Sequence, residues 1–197
     1  YRFSYDTQLN QTQITDSRGG VSQVTFDENG LPICELDPLD GLTAFEYDAV
    51  GRTTAVTDPA GLRTEFSYDD HGNLLQLTRP DGSTVRYAYD ADDQPVEVTD
   101  PGGGQWLQAY TAQGRLSEQT DPLGATTRYD WDARGQLTAC TDARGATTRL
   151  GHDRHGQLAR ITDPLGVTTQ FVHDLHGRLT EQTDALGQTT AYDHDIK

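Results

Sequence analysis

Along the chain, apolar and polar residues alternate in short runs, each ended by a cluster of Asp, Pro and Gly. About six or seven residues lie between clusters, too few for a helix of ordinary length and typical of a strand. These runs are rich in Thr, Val, Tyr and Phe, which suit a pleated, half-buried surface. In one kind of run the alternation is clean. Thr64, Phe66 and Tyr68 fall on one face and Arg63 and Glu65 on the other, as Thr127, Tyr129 and Trp131 oppose Arg128 and Asp130. The other kind is mixed on both faces: Leu74, Gln76 and Thr78 stand against Leu75 and Leu77, and Leu116, Glu118 and Thr120 against Ser117 and Gln119. The pattern predicts two kinds of strand in strict alternation, one with an aromatic face.

The runs also repeat in register. The stretch SEQTDPLGATTRYDWD, starting at Ser117, returns as TEQTDALGQTTAYDHD, starting at Thr180, which is three steps of 21 residues later (180 − 117 = 63). Stepping by 21 from Tyr5 gives Phe26, Tyr47, Tyr68, Tyr89, Tyr110, Trp131, His152, His173 and His194, a ring at every step with no insertion or deletion. An Asp follows each ring except at Thr111, and most repeats carry Gly three residues after it, as in Asp48 to Gly51. We call this the ring turn. A second D-x-x-G follows ten residues later, often with Pro: Asp58-Pro59-Ala60-Gly61, Asp121-Pro122-Leu123-Gly124 and Asp163-Pro164-Leu165-Gly166. We call this the proline turn.

Both signals have a mechanism. Asp at the first turn position accepts from backbone N–H groups ahead of it, Pro pre-sets φ at the second, and Gly supplies the left-handed residue that closes the loop. Such loops join antiparallel strands. About nine and a half units of two strands each give roughly 18 or 19 strands joined only by hairpins, and a ribbon of that width is expected to curl. The predicted fold class is all-β: 21-residue β-hairpin repeats forming a continuous, curled antiparallel sheet. Residues 1–197 are expected to be a single array of about nine repeats. The start, Tyr1-Arg2-Phe3, resembles neither an initiator Met nor a signal peptide, so the array is expected to be part of a longer chain.

Composition narrows the function. With 31 acidic against 15 basic residues, the net charge is −16. That argues against nucleic acid or an anionic membrane as partner, because binding to phosphate depends on clustered Lys and Arg. No run approaches the roughly 18 apolar residues of a membrane helix. The two cysteines, Cys34 and Cys140, fit neither a metal motif nor a disulfide framework.

The unit YDAVGRTTAVTDPAGLRTEFSYD, Tyr47 to Asp69, resembles the YD or RHS repeat, and the resemblance covers essentially the whole chain. Structural turn residues Asp48, Gly51, Asp58, Pro59, Gly61, Asp121, Pro122, Gly124, Asp163, Pro164 and Gly166 and the ring row Tyr47, Tyr68, Tyr89, Tyr110 and Trp131 match its motif. Leu9 and Asp93 in place of turn Gly, Arg79 in place of turn Asp, and His152, His173 and His194 in place of Tyr depart from it, and are expected to loosen individual turns only. The family includes bacterial polymorphic toxins, C components of insecticidal toxin complexes and the teneurins. The resemblance implies a segment of a spiralling cocoon that encloses a C-terminal toxin domain of a secreted or cell-surface protein. The implied partners are that domain, the rest of the shell and secretion-apparatus proteins.

Candidate chemistry is weaker than the structural reading of the same residues. Same-phase histidines in adjacent units are two strands apart, roughly 9.6 Å, whereas two nitrogens on one zinc lie within roughly 4 Å. Of the acidic residues, 17 are turn Asp, 9 after a ring and 8 at the proline turn. The densest cluster, Asp90-Ala91-Asp92-Asp93, lacks the converging ligands of a calcium loop and reads as an irregular turn. Family shells carry an aspartate self-cleavage motif, but Asp37-Pro38-Leu39-Asp40-Gly41 falls in phase with the ordinary proline turns. No catalytic residue, metal or cofactor is therefore assigned, and an enzyme is not expected. The alternative is an adhesion repeat binding carbohydrate or a cell surface through Trp106, Trp131, Tyr87 and Tyr89, or a plain structural scaffold.

Overall fold

Asp-headed turns close on themselves, and this sets the strand boundaries. In the ring turn at Asp48 the Asp48 N–H donates to Arg52 C=O at 2.9 Å and the Gly51 N–H to Asp48 C=O at 3.1 Å. The proline turn at Asp121 does the same with Ala125 and Gly124, both at 2.9 Å. The computed structural model describes residues 2–195. Among the described residues there are 19 strands and no helix. Strands entering a ring turn run six residues, as in Leu42–Tyr47 and Thr126–Trp131, and strands leaving it run five, as in Thr53–Thr57 and Leu137–Thr141. The expected all-β array of hairpin repeats is the observed one.

The chain forms two units, Tyr1–Gly103 and Gly104–Lys197. In the first, ten strands from Arg2–Asp6 to Pro95–Thr99 pair antiparallel, each with its neighbour in sequence. In the second, nine strands from Gln105–Tyr110 to Thr189–Ala191 do likewise. Among the described residues only Ala55 and Ala139, 1% and 9% exposed, are buried apolar residues. With no second layer to pack against, each unit is held by its backbone ladder and by cross-strand side-chain pairs, each worth about 0.2–1 kcal/mol.

The mixed faces of the five-residue strands have a structural cause that alternation does not reveal. Glu46 pairs with Ala55 but Tyr47 with Thr53, so Thr54 is left over as a bulge. The same irregularity leaves Leu75, Ser117, Thr138 and Thr180 unpaired in later hairpins. A bulge spends two residues against one, so the alternation slips at that point. The bulge hydroxyls find local acceptors: Thr138 Oγ1 donates to Asp130 C=O and Thr180 Oγ1 to Val172 C=O, both at 3.1 Å.

Two of the departures behave differently from expectation. The hairpin at Leu9 is not loosened but rebuilt. Its strands pair without a bulge from Arg2↔Thr15 to Asp6↔Gln11, and the left-handed residue moves one place on, to Asn10 at φ 50°. The turn at Arg79 stays closed, because the Arg79 N–H still donates to Ser83 C=O at 2.8 Å and Asp81 supplies the missing carboxylate, accepting from the Ser83 N–H at 2.9 Å.

Candidate functional site

The turn aspartates occupy one geometry. Oδ1 of Asp48 accepts from the N–H groups of Val50 at 3.0 Å and Arg52 at 2.9 Å. Asp58 accepts from Ala60 and Leu62 at 2.9 and 2.8 Å, Asp121 from Leu123 and Ala125 at 2.9 and 2.8 Å, and Asp163 from Leu165 and Val167 at 2.9 and 2.8 Å. Pro59, Pro122 and Pro164 follow their Asp, and Gly51, Gly61, Gly124 and Gly166 close the loops with φ between 77° and 88°. Backbone donors hold several of these carboxyls below the usual carboxylate range, Asp27, Asp132 and Asp153 among them. Asp174, gripped first by the Arg178 N–H and also by its guanidinium, lies at about 2. At Thr111 a hydroxyl stands in for the carboxylate, accepting from Gln113 and Arg115 N–H at 3.3 Å each. These oxygens are turn braces.

Five members of the ring row tie their hairpin to the one before it. Tyr47 Oη donates to Pro32 C=O at 2.7 Å, Tyr68 to Thr53 C=O at 2.8 Å and Tyr89 to Leu74 C=O at 3.0 Å. Trp131 makes the same tie with Nε1, to Leu116 C=O at 2.8 Å, and His194 Nε2 lies 2.6 Å from Leu179 C=O. Tyr110 donates to Gln108 Oε1 at 3.0 Å. Each tied carbonyl belongs to the residue just before a bulge, 15 positions upstream of the ring. Different polar ring atoms reach one acceptor position, so Trp131 and His194 stand in for Tyr with the tie kept.

A second row runs the other way, and sequence reasoning missed it. Residues at the position after the turn Gly reach forward to the next ring turn in several repeats. Asn10 Nδ2 donates to Phe26 and Asp27 C=O at 2.9 and 2.6 Å, Arg52 Nη1 to Asp69 C=O at 2.6 Å, and Gln136 Nε2 to Gly156 C=O at 2.9 Å. Leu31 covers Gly51, and the Arg115 guanidinium lies where a Cβ on Gly135 would stand. Asp93, the non-glycine at a turn Gly position, holds φ 61°. Its carboxylate accepts from Asn73 Nδ2 at 2.7 Å and pairs with His71 Nδ1 at 2.8 Å. The signal in the sequence was a long side chain at this phase in every repeat, obscured by its changing chemistry.

This geometry has relatives. Residues 1–194 match the family model described as Teneurin YD-shell. The chain belongs to the teneurin YD-shell family. Among solved structures, the fold of this YD-shell chain is similar to TcdB2-TccC3-Cdc42, with a TM-score of 0.74 and 15% identity over 96% of this chain and 12% of that one. It is likewise similar to TcdB2-TccC3, at 0.74 and 16% over 94% and 12%. For the Photorhabdus luminescens Tc holotoxin pore the values are 0.57 and 18% over 98% and 13%. The chain thus spans about one-eighth of the length of these chains. No curated protein matches it.

The two faces of the YD-shell sheet differ in chemistry. On the aromatic face the register opposes Phe45 to Val56, Phe66 to Leu77, Leu77 to Val85 and Tyr87 to Val98 in the first unit, and Tyr129 to Cys140 and Leu150 to Ile161 in the second. The opposite face is polar. Arg63 gathers Glu46 and Glu65, with Nη2 2.9 Å from Glu46 Oε2 and Nε 2.9 Å from Glu65 Oε1, and Ala55 sits in register between the two glutamates. Arg128 Nε donates to Glu118 at 3.0 Å. Threonine pairs flank the proline turns, with Oγ1 atoms 2.9 Å apart for Thr120 and Thr126 and 3.0 Å for Thr162 and Thr168. Among the described residues no three of His, Cys, Asp and Glu converge as metal ligands.

Proposed function

We propose that this chain is a non-catalytic wall segment of an RHS-type shell that encloses a C-terminal toxin or effector domain of a secreted bacterial polymorphic toxin. The observation that carries the reading is the one-layer build of each unit. Side chains such as Tyr47, Tyr68, Arg52 and Gln136 fasten hairpins to their neighbours instead of to a core, so the sheet extends by addition and each face is available to line or to cover. The turn carboxylates support a passive role, because backbone donors occupy them. The ring ties support wall over adhesion, since Tyr47, Tyr68, Tyr89 and Trp131 spend their polar atoms inside the sheet. The partners in this reading are the remaining shell, the enclosed domain and the secretion apparatus, with the parent protein outside the cell or on its surface.

Native purification of the full-length parent, followed by denaturing mass analysis and limited proteolysis of the same sample, tests the proposal. The expected result is a cleaved C-terminal fragment that stays with the shell and resists protease. An intact chain with no protected interior segment would overturn it.

A further inference from the structure

One ring of the row already carries a cation. The Arg52 guanidinium carbon lies 5.0 Å from the Tyr68 ring centroid. Arg52 Nε donates to Asp48 Oδ2 and Nη1 to Asp69 C=O, both at 2.6 Å. A ring, a turn carboxylate and a turn carbonyl from consecutive repeats thus form one guanidinium seat.

One repeat earlier the same acceptors recur as the Tyr47 ring, the Asp27 carboxylate and the Asp48 carbonyl, but the reaching residue is Leu31, which brings no charge. There the surface opens into a groove of about 680 Å³ lined by Asp27, Leu31, Ile33, Phe45, Tyr47 and Asp48. Oδ1 of Asp27 is occupied by the N–H groups of Asn29 and Leu31 at 2.9 and 2.8 Å, whereas Oδ2 meets only Asn29 Nδ2, at 3.4 Å, among the described residues. Those backbone donors keep Asp27 ionised well below neutrality. The tie to Pro32 at 2.7 Å fixes the tilt of the Tyr47 ring.

We propose that the Tyr47 groove is a seat for the guanidinium of an arginine on a protein partner, taking the place that Arg52 fills one repeat later. Charge complementarity favours this occupant, since the chain carries a net −16. Arginine fits better than lysine, because a planar fork can stack on the ring while donating to a carboxylate and a carbonyl together. The proposal is independent of whether the parent encloses a cargo.

The test is a titration of the protein with N-acetyl-arginine amide, N-acetyl-lysine amide and N-acetyl-leucine amide, followed by NMR on the Tyr47 ring and the Asp27–Leu31 backbone. Saturable shifts in the millimolar range are expected with the arginine amide, weaker ones with lysine and none with leucine. Leu31→Arg supplies the guanidinium from within and is expected to abolish the response. Asp27→Asn, whose amide oxygen still braces the turn, is expected to weaken it about tenfold. No saturable arginine shift in the parent sequence, or an undiminished response in both variants, would overturn the proposal.

Discussion

Tyr68→Phe keeps the ring and removes only the hydroxyl that donates to Thr53 C=O at 2.8 Å. The expected cost is about 1 kcal/mol, the net worth of one such bond, read as a shift in the urea midpoint at constant slope. Glycines can be ranked in the same way. At Gly61, φ 77°, an added Cβ would meet nothing within 4 Å, so Gly61→Ala costs only the left-handed strain, about 1–2 kcal/mol. At Gly156, φ 88°, the Cβ would lie 2.8 Å from Gln136 Nε2, a flexible side-chain end, so Gly156→Ala costs in addition the Gln136 bond to Gly156 C=O, and adding Gln136→Ala should erase the difference. A double-mutant cycle measured by urea unfolding checks this. At this scale the sequence was legible where chemistry is uniform. Rings and turn Asp stand out at a fixed phase. The forward-reaching residues do not, because Asn10, Leu31, Arg52 and Gln136 occupy one phase with three chemistries, amide, alkyl and guanidinium.

Hairpins as elements were legible in number, order and kind, because turn residues and strand residues differ so sharply. The bulge was not: a single extra residue such as Thr54 or Ser117 carries no composition of its own and shows only in the pairing. Between the hairpins around Asp69 and Asp90, the His71–Asp93 pair makes a pH-dependent link. Hydrogen bonding to Asp93 raises the His71 pKa above 6.5, with Asp69 and Asp70 adding to the effect, while Asn73 and His71 lower that of Asp93 below 3.8. The histidine contribution is therefore present below its unfolded value and is lost as pH rises through the raised one. The aspartate contribution is present above 3.8 and is lost as pH falls through the depressed one. The link should be tightest at mildly acidic pH and weaker above neutrality. Amide exchange in the Asp90–Gln94 turn, referenced to intrinsic rates, should show that profile, and His71→Gln should flatten it.

For the whole chain, the 16 excess negative charges repel one another, so stability is expected to rise as sodium chloride goes from about 10 mM to about 150 mM, measured as the melting temperature. A melting temperature that falls with salt would mean that pairs such as Arg63–Glu46 outweigh the repulsion. The fold class was readable from the period alone, whereas the build of each unit without an apolar core follows from burial that no sequence pattern states. The two kinds of tie, 15 residues back and 16 to 20 residues forward, carry a consequence for how such a gene can change. Each is defined only relative to a neighbour one unit away, so duplication or loss of any 21-residue block joins old partners of the same kind and invents no new interface. Unequal recombination between near-identical blocks is thereby structurally silent, and length becomes the freest variable in the lineage. A frame-preserving change that is not a multiple of 21 residues would break both ties at once.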